Sequence, residues 1–74
     1  MRNLKLSYGL PKDEMVKITV YDQSGREIMT LKDERINAGY YADAFNLNRL
    51  SNGIYWLILK SGNETKTKKL VFIR

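Results

Sequence analysis

The sequence predicts an all-β fold, a small antiparallel sandwich or barrel of six short strands. Three observations carry this. Apolar residues recur with a period of two and not with the helical period. Turn-forming clusters divide the chain roughly every 8–12 residues. No segment offers the roughly three turns of an average helix. Length agrees: 74 residues fall short of the roughly 100–200 that one domain usually takes, so residues 1–74 read as a single domain. A chain of this size buries only about 60% of its unfolded surface, which leaves a thin core. Hydrophobic residues make up 43% and charged residues 28%, with one proline, which marks a folded chain over a disordered one.

Each element follows from its own pattern. Leu4, Leu6, Tyr8 and Leu10 alternate with Asn3, Lys5, Ser7 and Gly9, a half-buried strand that stops at Pro11, which lacks an N–H. Val16, Ile18 and Val20 alternate with Lys17 and Thr19 in a second strand. Asp22-Gln23-Ser24-Gly25 is a tight turn, with Asp opening it and Gly25 free to take positive φ. Arg26 to Leu31 returns as a third strand, in a hairpin with the second. Ile28 and Leu31 stand three apart, so the alternation slips there through a bulge. Lys32 to Asn37 is charged and reads as a helical turn or a loop, closed by Gly39. Tyr41, Asp43, Phe45 and Leu47 alternate with Tyr40, Ala42, Ala44 and Asn46 in a fourth strand. Asn48 to Gly53 turns the chain again. Ile54 to Lys60 is apolar on both faces, the pattern of a central strand covered on both sides. Ser61-Gly62-Asn63 is a hairpin signal, and Thr65 to Ile73 is the last strand.

Composition removes whole classes of function. Cys and His are both absent, which excludes disulfides, zinc sites of the usual kind, cysteine nucleophiles and Ser-His-Asp triads. The adjacent pairs Asp13-Glu14 and Asp33-Glu34 fall where loops are expected, and neighbours on an extended chain point apart, so neither makes an acid–base dyad. Asp22-Gln23-Ser24-Gly25 lacks the distal Glu of a calcium loop. The glycines are scattered and cradle no phosphate. No run approaches the roughly 18 apolar residues of a membrane span. Met1-Arg2-Asn3 leads straight into patterned sequence, with no signal-peptide pattern.

Charge is uneven. The net charge is +5, and from Lys60 onward Lys60, Lys66, Lys68, Lys69 and Arg74 stand against Glu64 alone. A basic end suits an anionic partner, or an edge strand that lysines protect from pairing. With Tyr55 and Trp56 beside it, a nucleic-acid-binding barrel is one reading. As chain neighbours, however, the two rings face opposite sides of the sheet. Leu50-Ser51-Asn52-Gly53-Ile54-Tyr55 has the form of a tyrosine corner, in which a buried ring bonds backbone upstream and pins a crossover between sheets. That favours the sandwich.

Five stretches, in order and with matching spacing, carry a resemblance. They are Leu6-Ser7-Tyr8-Gly9-Leu10-Pro11, Val16 to Ile28, Ala38-Gly39-Tyr40-Tyr41 followed by Phe45-Asn46, Leu50 to Tyr55, and Thr67 to Arg74. Together they resemble the C-terminal sorting domain of proteins exported by the type IX (Por) secretion system, a group similar to the immunoglobulin-like domain of the flagellar hook-capping protein. One departure stands at the start, where Met1-Arg2-Asn3 replaces the family's usual Asn-Pro segment. The resemblance implies an all-β, small antiparallel immunoglobulin-like β-sandwich of six to seven strands. It implies a non-catalytic C-terminal module that directs a larger exported protein through the outer membrane, by way of the periplasm, to the cell surface or the medium. There the domain is typically cleaved or exchanged for an anchor. The residues carried over are Lys68, Lys69, Leu70, Val71, Phe72, Ile73 and Arg74 as the recognition strand, with Gly25, Gly39, Gly53 and Tyr55 as structural supports. The implied partners are the outer-membrane machinery and a cargo domain N-terminal to this chain. No cofactor, metal, small-molecule substrate or nucleic acid is expected, and a basic edge strand argues for a monomer. The alternatives are a structural module of the hook-capping kind and the nucleic-acid-binding barrel, whose affinity would fall steeply with salt.

Overall fold

A computed structural model of the chain, describing residues 3–73, contains six strands and no helix. They are β1 (Asn3–Leu10), β2 (Glu14–Asp22), β3 (Glu27–Ile36), β4 (Gly39–Asn46), β5 (Gly53–Ser61) and β6 (Glu64–Phe72). All pairings are antiparallel and form two sheets, β1-β4 and β3-β2-β5-β6. The hairpins β2–β3 and β5–β6 stay within the larger sheet, and the other three connections cross between sheets. The architecture is that of a small immunoglobulin-like sandwich.

The predicted alternations set the inner faces. Tyr8 and Leu10 of β1, Val16, Ile18 and Val20 of β2, and Tyr55, Leu57 and Leu59 of β5 are buried in one core with Ile36, Leu47, Leu50 and Leu70. Leu47 and Leu50 lie in the β4–β5 crossover, which a Leu50 N–H to Leu47 O bond of 3.0 Å tightens. At the β2–β3 turn Asp22 accepts at one carboxylate oxygen from the N–H groups of Ser24 and Arg26, at 3.0 and 2.9 Å. These bonds hold the Asp22 carboxyl below its ordinary range, the Ser24 side-chain bond most of all. Two register slips fall in β3, opposite Ile18/Thr19 and Val20/Tyr21, and they leave Leu31 and Ile28 unpaired.

Two expectations are corrected. Lys32 to Ile36 is neither loop nor helical turn; it continues β3, with Lys32 opposite Ile18 and Asp33 opposite Lys17. Asp33-Glu34 therefore lies in a strand and not in a loop. The reason is position: β3 pairs only with β2, and an edge strand facing water can carry charges that hide its alternation. The second correction concerns β5. It is central, between β2 and β6, but only its Tyr55, Leu57 and Leu59 face is covered. On the other face Ile54 and Ile58 are half-buried and Trp56 is exposed.

Candidate functional site

The candidate recognition residues lie on β6 and just beyond it. β6 is the outer strand of the larger sheet and pairs only with β5. Register divides its side chains. Lys68, Leu70 and Phe72 stand opposite Leu57, Tyr55 and Gly53, on the core face. Lys69 and Val71 stand opposite Trp56 and Ile54, on the outer face. Leu70 is buried, and the Phe72 ring lies 5.7 Å from that of Tyr55, tilted by 44°. Val71 and Ile73 are exposed. The Lys69 ammonium sits 6.0 Å from the centroid of Trp56, a cation–π contact of about 0.5–1 kcal/mol at an exposed site. Arg74 lies outside the described residues.

Behind β6, Tyr55 is buried with its hydroxyl donating to the Ser51 carbonyl at 2.9 Å, and the Ser51 hydroxyl lies 3.2 Å away. This bond ties the start of β5 to the crossover that precedes it. Gly53 enters β5 at φ +153°, a conformation that side chains with a Cβ rarely adopt. Gly25 closes the β2–β3 turn at φ +88°, its N–H donating to Asp22 O at 3.0 Å, and Gly39 opens β4.

A cluster that the sequence reading did not single out joins the two sheets. The Lys32 ammonium donates to Asp43 Oδ2 at 2.8 Å and to Tyr8 Oη at 3.0 Å, and Tyr8 Oη donates to Asp43 Oδ2 at 2.6 Å. The rings of Tyr8 and Tyr41 stack at 5.6 Å, and the ammonium lies 5.7 and 5.8 Å from their centroids. The Lys32 bond, then the Tyr8 bond, hold the Asp43 carboxyl below its usual range. The bonds to Asp43 and Tyr8 raise Lys32 well above the ordinary lysine range. Burial, then the bond to Asp43, raises the Tyr8 phenol. The signal was present in the sequence: the alternation places Asp43 with Tyr41, Phe45 and Leu47, and a carboxylate on an apolar face needs a cation. Asp13 also has a structural use, accepting the Ala38 N–H at 2.7 Å and tying the β1–β2 loop to the β3–β4 loop.

Fold and site together define a small immunoglobulin-like sandwich with a basic edge strand at its C-terminal end. The chain belongs to the secretion system C-terminal sorting domain family, whose model it matches over residues 2–74. It is a sorting signal for type IX secretion, and it marks proteins exported through the outer membrane to the cell surface or the medium. Such a domain implies an N-terminal cargo and the secretion machinery as partners, and the family is one of sorting signals, not of catalysts. Searches of curated proteins and of solved structures found no match.

Proposed function

We propose that the machinery reads this domain through its last strand, Lys68 to Arg74, with the whole of residues 1–74 acting as one monomeric, non-catalytic unit that engages no nucleic acid. One observation carries this reading. The strand lies at a sheet edge, held on one side by β5 and anchored by Leu70 and Phe72, while Lys69, Val71 and Ile73 stay open to water. An edge strand of this kind can be added to another sheet, with backbone bonds supplying affinity and the exposed side chains specificity. Gly25, Gly39, Gly53 and Tyr55 support the shape of the domain.

The test is export of a fluorescent reporter carrying a signal peptide and residues 1–74 in a type IX-competent bacterium. Removal of 69–74, or the double change Lys69→Glu with Val71→Asp on the exposed face, is expected to leave the reporter in the periplasm. Both changed side chains face solvent, so the variant domain should keep its fold, which circular dichroism checks. Normal export of the folded double variant would remove Lys69 and Val71 from the recognition surface.

A further inference from the structure

The two sheets of the sandwich are unequal, two strands against four. β1 pairs with β4 alone. Its other side faces β6 across a gap, and the two strands do not pair. The gap holds a cavity of about 290 Å³ bordered by Leu6, Tyr8, Leu57, Leu59, Lys66 and Lys68. The register of β6 makes the last two unusual. Lys66 stands opposite Leu59 and Lys68 opposite Leu57, so both occupy core-face positions. Both are nevertheless exposed, and neither has an ion-pair partner among the described residues. Leu4 and Leu6, on the inner face of β1, are only half-buried, whereas Tyr8 and Leu10 further along the same face are buried. The core is therefore complete at one end of β1 and unfinished at the other.

We infer that this seam is a binding site for an extended polypeptide segment with acidic residues at its alternate, inward-facing positions, supplied in trans and added to the free side of β1 as a third strand. The backbone geometry asks for a strand, because an edge offers unpaired N–H and C=O groups along its length. The inner face asks for carboxylates at every second residue, because two unpaired ammonium groups two residues apart on β6 match the inward-facing repeat of an added strand. Lysines turned inward at an edge also discourage pairing with neutral or basic strands, so the same pair that attracts an acidic segment excludes others. The site is separate from the exposed Lys69, Val71 and Ile73 side chains, and it stands whether or not those are what the secretion machinery reads.

The experiment is an amide chemical-shift titration of the 74-residue chain with a capped peptide of alternating valine and glutamate, as long as the nine residues of β2. The control peptide has lysine for glutamate. Shifts confined to the amides of Leu4 to Tyr8 and Lys66 to Lys68, with slowed exchange along β1, are the expected result. The Lys66→Glu/Lys68→Glu variant should bind the glutamate peptide at least about tenfold more weakly, as expected when close opposite charges become like charges. Equal binding of the lysine peptide would overturn the inference. So would shifts confined to Ile54, Trp56 and Val71. Shifts at the seam that grow with protein concentration alone would assign it to a second copy of the chain instead. The peptide comparison uses the unaltered protein, so it does not depend on the variant folding.

Discussion

The cluster of Lys32, Asp43 and Tyr8 brings charge to the edge of the core, and its geometry decides its cost. The side chains of Lys32 and Asp43 are 16% and 24% exposed, so both have lost most of their water, and each recovers it through two short bonds. No buried side-chain nitrogen or oxygen is left unpaired among the described residues. Breaking the set should therefore cost more than a surface ion pair would. Asp43→Asn leaves the Lys32 ammonium without its counter-charge, and we expect a loss of about 1–3 kcal/mol in urea unfolding at neutral pH. Tyr8→Phe keeps the ring stack and removes only the shared hydroxyl, with an expected loss of about 1 kcal/mol. The pH dependence follows from the two shifts. Asp43 is lowered by folding, so its contribution is present above its ordinary value of 3.8 and is lost as pH falls through the lower folded value. Lys32 is raised, so its contribution is complete below 10.5 and is lost as pH rises through the higher folded value. Urea midpoints of the native chain and Asp43→Asn, measured against pH, should differ most between these limits and converge in acid. A constant difference down to acid pH would assign the loss to packing and not to charge.

Among the strands, legibility tracked burial. β1 and β4 put one face on the core and the other toward water, and β2 does the same except at Thr19, which is buried on its outer face, so their alternation could be read directly. β3 could be read only as far as Leu31. Beyond it Lys32, Asp33, Glu34 and Arg35 carry no apolar period, and pairing with β2 is what keeps them extended. The lysine that crosses to the other sheet was hidden in that same charged run. β5 misled in the opposite way, because an apolar residue on a central strand does not reveal whether its face is covered. β6 combines both habits: its first half is polar and its last residues are apolar on alternate faces. That division gives the strand two kinds of substitution. Leu70 is 7% exposed and packs with the core, so Leu70→Ala should cost about 2–4 kcal/mol and free the end of the strand. Val71, its neighbour on the outer face, is 52% exposed, and Val71→Asp should stay within about 0.5 kcal/mol. Thermal unfolding of the two variants separates anchoring from display on a single strand. Equal losses would mean that the outer face of β6 is packed as firmly as the inner one. At the entry to β5, Gly53→Ala should lower stability by about 1–2 kcal/mol through backbone strain at φ +153°. The added Cβ itself would meet only the Tyr55 ring, at an ordinary 3.8 Å.

At the scale of the molecule, two strands lie over four, and this imbalance was not legible from pattern alone. The sequence shows how many strands there are and which face of most of them is apolar, but the sheet each strand joins depends on how the crossovers pack. The tyrosine-corner segment is an exception, since it marks one crossing in advance. The consequence of the imbalance is a sandwich with an open seam whose exposed inner positions are lysines. An open edge next to apolar side chains is a hazard for any small β protein, and inward-facing charge is one of the means that counters it. Lys66 and Lys68 occupy the positions where charge would act most directly, opposite Leu59 and Leu57. Replacing both with valine extends the apolar floor across the seam without touching the buried core, so the isolated fold should survive or gain slightly. Its solution behaviour should change. The native chain is expected to elute as a monomer in size-exclusion chromatography, whereas Lys66→Val/Lys68→Val should associate in a concentration-dependent way as two seams meet edge to edge. Lys17→Val with Lys60→Val removes the same amount of charge from the outer face of the same sheet and is the matched control. Association of the seam variant alone would locate the protection in the position of the lysines. Equal association of both variants would assign it to net charge, and the inward register of Lys66 and Lys68 would then have no part in keeping copies apart.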